Sequence, residues 1–582
     1  MSFLDKLNIS QTKKTKLPKV RSFKKYDHIY NTITNIGDYL DSIERFGNKV
    51  MYIWKENSIQ HQITYGEFVT LTRQLMNGFA DMFGSSGKRI AVIGETSPYW
   101  VASYLAIIAS GNTAVPMDKE LDPEQISGFF EGAEVVAVVF SKTFNKVFSN
   151  MLTGHKTLRY LIPLDTDGLR ENKRITSLSH LATIGKNSDR KVEPDTDTER
   201  CCELLFTSGT TGTSKCVMLC QRNLCSAITA ACGATDFGPD DVLVSVLPLH
   251  HTYELTCSLA AFNYGITACI NDSLRHVLRS FKEYRPTGIV LVPLFVTTMY
   301  KKILSEANKA GKGKMLEVAS KFGHVLSLAG IDASDTMFKD VREAFGGRLR
   351  KIVCGGAALD PKMVEQFETF GISIYEGYGI TECAPLVAVS PYYNRKCGSV
   401  GPAVDCCKIR IDGGEKNEDG NLVGEILVKG DNVMLGYMNN PEANAEAFTE
   451  DGWFRTGDMG YMDEDGYLFI TGRKKSVIVL ENGKNVFPEE MEEYLSKIEE
   501  ISESVVVGRE EEDGTVKLTA LIFPNYAKYS DISENELRTA IQKEITQLNK
   551  RLPSFKQIRK IEFRNTEFEK TTTKKIKRHL VK

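Results

Sequence analysis

The sequence ELLFTSGTTGTSKCVML, residues 203–219, predicts two short buried strands joined by a polar loop. Its apolar runs, residues 204–206 and 217–219, have the composition of buried strands. The loop between them contains hydroxyl side chains, glycines and Lys215, and no large apolar residue. Glycines let backbone N–H groups approach phosphate oxygens, hydroxyls can donate to those oxygens, and a lysine adds positive charge. The stretch therefore predicts a phosphate-binding loop.

This loop differs from the Walker A loop of nucleotide-hydrolysing proteins. A Walker A loop has glycine immediately before its lysine, whereas Ser214 precedes Lys215 here. The difference argues against ordinary transfer of a γ-phosphoryl group. A surface loop rich in Ser, Thr and Gly is the alternative, because those residues are common in connections of every kind.

The overall composition is that of a globular protein with several folding units. The chain has 582 residues, of which 42% are hydrophobic and 25% are charged, and its formal net charge is -2. Such a charge gives no general attraction for nucleic acid. No apolar stretch reaches the roughly 18 residues that cross a bilayer, and no secretory signal is visible. With 13 cysteines and no CxxC pair, we expect free thiols and a cytoplasmic location.

Alternating strands and helices predict an α/β fold. Strand patterns at residues 89–93, 289–293 and 351–354 are each followed by a helical pattern. This alternation predicts a large N-terminal domain, residues 1–474, of mostly parallel sheets covered by helices. In such folds, ligands bind at the carboxyl ends of the strands.

A second, smaller domain is predicted at the C-terminus. From residue 475 onward, a strand, a turn and a helix opened by Pro488 predict a mobile α+β domain, residues 475–582. At the other end of the chain, residues 1–25 are rich in lysine. They predict a flexible basic tail, with peripheral attachment to a membrane surface as the alternative.

Three further motifs lie where predicted strands end. They are LPLHHTYE at residues 247–254, CGGAAL at 354–359 and YEGYGITE at 375–382. The first presents His250 and His251 on a turn after a proline, although a single histidine is more often a packed residue. The paired glycines of the second would let the backbone lie close to a flat ring.

The third of these motifs offers side chains suited to a nucleotide. Tyr378 could stack on adenine, Thr381 could donate to a phosphate, and Glu382 could hold Mg²⁺ through a carboxylate oxygen. The alternative is a glycine-rich turn with a core tyrosine.

Two C-terminal motifs complete the set. In GWFRTGDMGYMDEDGYLFITGRKK, residues 452–475, Asp458 can accept hydrogen bonds from two ribose hydroxyls and Arg473 can donate to the same sugar. The basic segment KTTTKKIKR, residues 570–578, has the character of a mobile tail.

Together these motifs resemble those of the adenylate-forming, or AMP-dependent synthetase and ligase, superfamily, and are most similar to those of long-chain fatty acyl-CoA synthetases. The resemblance implies activation of a carboxylic acid, a medium- or long-chain fatty acid, to an acyl-adenylate and then to acyl-CoA. AMP and pyrophosphate are released. ATP and Mg²⁺ are the implied cofactors, and CoA is the implied cosubstrate.

The resemblance also implies a role for individual residues. Lys575, Glu382 and His251 are implied to be catalytic, and Thr207 and Glu382 to bind Mg²⁺. Lys475 is implied to be the hinge about which the small domain turns between the two half-reactions. The residues implied to bind the nucleotide are Thr207, Ser208, Gly209, Thr210, Thr211, Gly212, Lys215, Gly356, Ala357, Glu376, Gly377, Tyr378, Gly379, Thr381, Asp458 and Arg473.

Three positions depart from the residues usual in this superfamily. Glu376 stands where Gln is common, and Gln221 stands where a His often follows the phosphate loop. Lys574 replaces the usual Gly before the catalytic lysine, which makes Lys574 the alternative to Lys575.

Two other functions fit the same motifs. One is a ligase that loads the phosphopantetheine of an acyl carrier protein, or that activates another acyl or aryl acid. The other is a nucleotide-binding protein of the same fold without catalysis. Release of pyrophosphate that depends on an added acid, followed by consumption of CoA, would separate these functions.

Overall fold

The computed structural model describes residues 30–56, 58–84, 86–164, 169–189, 192–207, 215–271, 277–309, 311, 338–480, 485–511, 515–570 and 576–581. These residues form two units. The described residues of unit 1 fall within 1–207, 214–408 and 428–454, and those of unit 2 within 409–427 and 455–582.

The first sheet of unit 1 has eight strands. They are β1 Val50–Glu56, β2 Ile59–Thr64, β9 Val242–Ser245, β10 Thr267–Ile270, β11 Gly288–Leu291, β12 Lys351–Gly355, β13 Ser373–Gly379 and β14 Leu386–Val389. Their order is β14-β13-β12-β11-β9-β10-β1-β2. The six inner strands are parallel, and the two edge strands, β14 and β2, are antiparallel to their neighbours.

The second sheet of unit 1 has seven strands. They are β3 Arg89–Ile93, β4 Thr113–Met117, β5 Ala137–Phe140, β6 Tyr160–Pro163, β7 Cys201–Thr207, β8 Lys215–Cys220 and β17 Gly436–Tyr437. Their order is β17-β8-β7-β4-β3-β5-β6, parallel from β7 to β6 and antiparallel at β8 and β17.

Helices cover both sheets of unit 1. They are α1 Ile36–Glu44, α2 Tyr65–Phe83, α3 Pro98–Ala109, α4 Pro123–Gly132, α5 Asn145–Leu152, α6 Leu178–Asn187, α7 Gln221–Ala234, α8 Thr252–Asn263, α9 Val277–Tyr284, α10 Pro293–Lys309, α11 Lys339–Glu343, α12 Pro361–Thr369 and α13 Pro441–Ala447. Helix α10 shows why they pack in this way. It buries Val296, Met299 and Ile303, whose spacing places them on one face.

The predicted α/β fold is confirmed. Strand β3 has the predicted bounds, and α3 begins at Pro98, where Ser97 caps its first turn by accepting from the Trp100 N–H. The departures are antiparallel edges, most clearly at residues 203–219, where β7 and β8 form a hairpin. Residues 208–214 are too few for a parallel crossover, which needs about a dozen or more.

Three small sheets lie in unit 2, except that residues 407–408, 428–430 and 454 at the strand ends of the first sheet belong to unit 1. Their strands are β15 Cys407–Lys416, β16 Leu422–Gly430, β18 Phe454–Met462 and β19 Leu468–Arg473 in the first, β20 Ile478–Val479 and β21 Asn485–Val486 in the second, and β22 Ile501–Glu510, β23 Val516–Pro524 and β24 Lys560–Phe563 in the third. Helices α14 Pro488–Ser496 and α15 Glu534–Asn549 share a hydrophobic core with the third sheet. This core includes Met491, Val506 and Ile541. The prediction of a smaller α+β part is confirmed. Unit 2 also takes in residues 409–427 and 455–474.

Among the described helices, none has both the length and the apolar character that crossing a membrane would require.

Candidate active site

The hairpin of β7 and β8 fixes the two ends of the predicted phosphate loop. Thr207 lies directly opposite Lys215 in the ladder, and its hydroxyl donates to the Lys215 carbonyl over 3.4 Å. Residues 208–214, which include five of the implied nucleotide-binding residues, lie outside the described part of the chain. The hairpin therefore places a hydroxyl and an ammonium group at the base of this loop.

Three side chains of unit 1 form what we call the polar bridge: Lys215, Tyr437 and Glu382. The Lys215 Nζ atom lies 4.7 Å from the centroid of the Tyr437 ring. The Tyr437 hydroxyl donates to Glu382 Oε1 over 2.8 Å. One aromatic ring thus lies between a cation and a carboxylate that are far apart in the sequence.

The backbone of Tyr437 is held from two sides. Strand β17 pairs with β8, so that Tyr437 lies opposite Val217. The Asn444 side chain accepts from the Tyr437 N–H over 2.6 Å and donates to its carbonyl over 2.9 Å. Gly436 has φ +137°, and an added Cβ would lie 3.0 Å from Asn444 Oδ1. The close approach of Asn444 therefore depends on glycine at this position.

Sequence reasoning missed Tyr437. A two-residue strand has no periodic pattern, and β17 is recognisable only through its pairing with β8. The available signal was local. Asn440 and Pro441 open helix α13 shortly after Tyr437, and the Asn440 side chain accepts from the Ala443 N–H. This helix start indicates that the chain turns sharply next to an aromatic residue.

Glu382 lies in the short 3₁₀ helix Thr381–Cys383, and the Met434 N–H donates to its carbonyl over 2.9 Å. Its carboxylate and the Thr207 hydroxyl are hard oxygen donors of the kind that Mg²⁺ prefers. In the described part of the chain, no group of three or more His, Cys, Asp or Glu side chains could hold a metal. The donor set fits Mg²⁺, which commonly takes one or two protein oxygens and completes its shell with phosphate and water.

The two glycine-rich motifs lie side by side at the carboxyl ends of β12 and β13. Gly355 pairs with Gly377, and a Cβ on Gly355 would lie 3.1 Å from the Gly377 carbonyl oxygen. Gly356, just before Ala357, has φ +86°, a conformation that favours glycine. Tyr378 and Gly379 follow on β13, so the structure brings together the backbone segments implied to flank adenine.

An apolar cavity opens beside these glycines. Its volume is about 110 Å³, and it is partly open to solvent. This volume is below the range of about 300–1,000 Å³ typical of small-molecule sites, so side chains must move to admit a long ligand. Its lining includes Gly355, Gly356, Gly377, Tyr378, Gly379, Pro385 and Leu386 at one end, and Ala231, Thr235, Phe237, Leu243, Tyr264 and Ile266 at the other.

Phe237 closes the far end of this cavity against a buried charged network. Lys351 Nζ lies 4.8 Å from the Phe237 ring centroid and 3.0 Å from Asp241 Oδ2. Lys351 also donates to the Asp236 carbonyl over 2.9 Å, and the Tyr375 hydroxyl donates to Asp236 Oδ1 over 2.6 Å. Behind Phe237 the protein is therefore polar and closely hydrogen-bonded.

The strand register gives the depth of the cavity. Leu243, at the far end, pairs with Gly288, which in turn pairs with Lys351 at the start of β12. Gly355, at the near end, is the last residue of β12. At about 3.3 Å per residue, this stretch of strand corresponds to roughly 13 Å.

His250 and His251 lie immediately before α8, the helix that contributes Tyr253, Thr256 and Cys257 to the cavity. The His250 side chain is 11% exposed and lies 3.5 Å from Asp118 Oδ2, and its ring centroid is 4.2 Å from that of His251. Burial lowers the pKa of His250, as does the neighbouring His251 ring, and Asp118 opposes this only in part. His250 is therefore neutral at physiological pH. His251 itself is not among the lining residues.

Two buried carboxyl groups flank the cavity-lining elements. Glu376 is 8% exposed, opposite Cys354, and burial raises its pKa to about 8. Glu254, on α8, is fully buried, which raises its pKa to about 8 although the Ser245 hydroxyl donates to it over 2.5 Å. Both carboxyls are therefore largely protonated at neutral pH.

Unit 2 joins the two residues implied to hold ribose. Asp458 and Arg473 are opposite each other on β18 and β19, and Arg473 Nε lies 2.7 Å from Asp458 Oδ1. The Asp458 side chain is only 6% exposed, whereas that of Arg473 is 47% exposed. Lys475 lies in the short 3₁₀ helix Lys474–Ser476. Residues 574 and 575 are outside the described residues.

Comparison with known families gives two matches. The sequence model described as AMP-binding enzyme matches residues 40–438, and that described as AMP-binding enzyme C-terminal domain matches residues 475–582.

Curated relatives are similar over most of the chain. Long-chain-fatty-acid–CoA ligase FadD15 of Mycobacterium tuberculosis is 31% identical over 493 residues, which cover 79% of this chain and 77% of that protein. Long-chain-fatty-acid–CoA ligase 1 of Homo sapiens is 30% identical over 461 residues, covering 75% of this chain and 65% of the human protein.

Solved structures share the fold. ATP-bound MatB from Rhodopseudomonas palustris superposes with a TM-score of 0.72 at 24% identity, covering 93% of this chain and 98% of MatB. A fatty acyl CoA synthetase from Mycobacterium tuberculosis gives a TM-score of 0.61 at 20% identity, covering 93% of this chain and 96% of that protein.

Proposed function

The chain belongs to the AMP-binding enzyme family, and on that basis we propose that it is an AMP-forming acid–CoA ligase for a medium- or long-chain fatty acid. The reaction joins the acid to AMP with release of pyrophosphate, and then transfers the acyl group to the thiol of CoA.

One observation supports this proposal above the others. The segment 377–386 borders the apolar cavity at Gly377–Gly379 and again at Pro385 and Leu386, and between these points it carries Glu382. An apolar pocket and a carboxylate suited to a cation thus share one short connection. A substrate with an apolar tail and a carboxylate head, activated next to a phosphate-binding hairpin, matches this arrangement.

The polar side of the site has groups for a nucleotide triphosphate. A bound Mg²⁺ would supply charge neutralisation at the phosphates, and Thr207 and Glu382 are the residues that would hold it. Lys215 places a positive charge at the base of the phosphate loop. Developing negative charge on phosphate oxygens is stabilised by such preorganised cations and donors, which lowers the barrier to attack by the acid.

The remaining roles extend the proposal to unit 2. Asp458 can accept hydrogen bonds from ribose hydroxyls, and Arg473, which already contacts Asp458, can donate to the same sugar. Lys575 is proposed to contact the α-phosphate and the acid during adenylation, and Lys475 to be the hinge that withdraws it before the thiol enters.

The cavity supports an acid with an unbranched apolar chain. An extended alkyl chain advances about 1.25 Å per carbon, given carbon–carbon bonds of about 1.5 Å. A depth of roughly 13 Å therefore matches the length of about ten carbons in a straight conformation, provided that side chains move to widen the cavity. Longer chains must bend within the cavity or displace Phe237.

The proposal is tested with purified protein and a series of fatty acids from acetate to palmitate. We expect pyrophosphate and AMP to form only with an added acid and Mg·ATP, and CoA to be consumed in step with AMP. Production of ADP would contradict the proposal.

The same assay separates the alternatives. If CoA is not consumed but a carrier-protein phosphopantetheine is acylated, the enzyme is a carrier-protein ligase. If ATP binds in equilibrium measurements but no acid triggers pyrophosphate release, the chain is a nucleotide-binding protein without catalysis.

A further inference from the structure

We propose that Tyr437 is a positioning residue that keeps Lys215 and Glu382 apart and orients both toward the nucleotide. The inference rests on the proposed function, because it assigns the roles of these two charged residues. Tyr437 uses two different parts of its side chain, the ring face for Lys215 and the hydroxyl for Glu382.

The ring is held firmly enough for such a role. Tyr437 is 6% exposed, and both of its backbone polar groups are bound by Asn444. Strand β17 also ties it to β8, the strand that begins with Lys215. The backbones of Tyr437 and Lys215 therefore belong to one hydrogen-bonded ladder, which restricts the positions of the ring and the lysine relative to each other.

The charges of Lys215 and Glu382 are kept apart because the Tyr437 side chain lies between them. Among the residues that the structure describes, neither Lys215 nor Glu382 makes an ion pair, although each contacts the same tyrosine. A direct pair would satisfy both charges before any nucleotide arrived. An aromatic face attracts an ammonium group without neutralising it, so Lys215 keeps its charge for phosphate.

The hydroxyl acts on the orientation of Glu382. Donation to Oε1 restricts the rotation of the carboxylate, and Oε1 rather than Oε2 receives this bond. A carboxylate held in one orientation binds a cation without first losing rotational freedom. Loss of the hydroxyl should therefore weaken metal binding, and loss of the ring should weaken nucleotide binding.

The experiment compares Tyr437→Phe with Tyr437→Leu. Tyr437→Phe keeps the ring and removes only the hydroxyl, so we expect the apparent affinity for the metal to fall about tenfold, as for loss of a hydrogen bond to a charged group. The affinity for ATP at saturating metal should be nearly unchanged. Tyr437→Leu removes both contacts, and we expect it also to weaken ATP binding about tenfold or more.

The readout is equilibrium binding rather than turnover. Mn²⁺ binding is followed by electron paramagnetic resonance with a non-hydrolysable ATP analogue present, and binding of the analogue itself is followed by calorimetry at saturating Mg²⁺. Tyr39→Phe is the matched control, because the Tyr39 hydroxyl is also buried and donates to a carbonyl, that of Leu259, over 3.0 Å. It should change neither affinity.

The proposal is overturned if Tyr437→Phe binds Mn²⁺ as the parent does, or if the Phe and Leu variants are indistinguishable in both titrations. The thermal midpoint of each variant is measured to show whether the variant is folded. Should Tyr437→Leu not fold, Asn444→Ala releases the backbone of Tyr437 while keeping its side chain, and an unchanged metal affinity in that variant also overturns the proposal. If the parent binds the analogue but no acid releases pyrophosphate, the proposed function fails while the role of Tyr437 stands.

Discussion

The polar bridge and the apolar cavity meet at the same segment, residues 377–386, yet they are built in opposite ways. The bridge consists of three side chains joined by directed contacts at defined distances. The cavity is formed by many apolar groups from several helices and strands, and its shape depends on their combined volume. Replacement of one bridge residue should therefore impair the reaction with every substrate, whereas replacement of one lining residue should change which substrate fits.

The most severe test of this contrast is Glu382→Ala. Removal of the carboxylate takes away the proposed metal ligand, and we expect acid-dependent pyrophosphate release to fall by at least about 100-fold, as when a charged transition-state contact is lost. The thermal midpoint should stay near that of the parent, because Glu382 is only half-buried. Glu446→Ala, on the exposed face of α13, is the control and should retain activity. Mg²⁺-dependent activity close to the parental rate would remove Glu382 from the metal site.

Gly379→Ala tests the segment that the two regions share. An added Cβ would lie 2.1 Å from the Pro385 carbonyl oxygen, so the backbone must shift. Overpacking of this kind costs about 1–3 kcal/mol. We expect the rate to fall about tenfold for every acid, without a change in chain-length preference.

Gly128→Ala provides the control for that experiment, since nothing lies within 4 Å of its added Cβ in helix α4. It should leave the rate unchanged and stabilise the helix slightly. A Gly379→Ala enzyme that loses activity with only some acids would show that the segment belongs to the cavity alone.

Phe237→Ala should change specificity more than rate. Truncation opens the far end of the cavity. The preference for acids of 14–16 carbons over those of about ten carbons should therefore rise about tenfold, which is the lower limit of the discrimination that one apolar contact provides. Stability should fall by about 3–5 kcal/mol. The measurement is kcat/KM across the acid series.

Phe148→Ala is matched to it in size and burial but belongs to a different core cluster. It should lose similar stability and keep the parental chain-length profile. If both variants shift the profile alike, the shift reflects general loosening and Phe237 does not set the length.

The smallest effect is expected from Glu254→Gln, on the face of α8 behind the cavity. Because burial raises the pKa of Glu254 from 4.5 to about 8, the folded protein retains a proton that the unfolded chain has released. Its contribution to stability is therefore complete below about pH 4.5 and is lost as the pH rises to about 8.

Glu254→Gln cannot titrate, so the difference in thermal midpoint between variant and parent should move in favour of the variant by several °C from pH 5 to pH 8, as the parent loses up to about 1.4 kcal/mol per pH unit. Glu446→Gln, which is exposed, should show no such trend. A constant difference across this range would mean that Glu254 is ionised in the folded protein.

The sequence predicted the parts of the fold that are local. Strand β3 follows from an apolar run and helix α3 from apolar residues at helical spacing, and both were confirmed. The motif at residues 375–382 likewise placed Glu382 at the end of a strand. Each of these features is specified by residues within one turn or one strand of each other.

The parts that could not be predicted depend on distant residues. Phe237, in the connection between α7 and β9, closes the far end of the cavity against Lys351 of β12, and no local pattern relates the two residues. Tyr437 reaches Lys215 through a two-residue strand added at a sheet edge. The antiparallel edges were also missed, because alternation of strands and helices indicates direction only where a helix forms the crossover.

The pairing of β1 with β10 has a consequence for how the protein is made. Tyr52 lies beside Ala268, so the N-terminal hairpin of β1 and β2 joins its sheet only after more than 200 further residues have been synthesised. At about 5–20 residues per second, that interval is roughly 10–40 s. During it, Met51 and Tyr52, which are buried in the finished fold, have no strand of that sheet to pack beside except β2. We therefore expect nascent chains that end before β10 to depend on chaperones, and chaperone binding to decline once β10 has emerged from the ribosome.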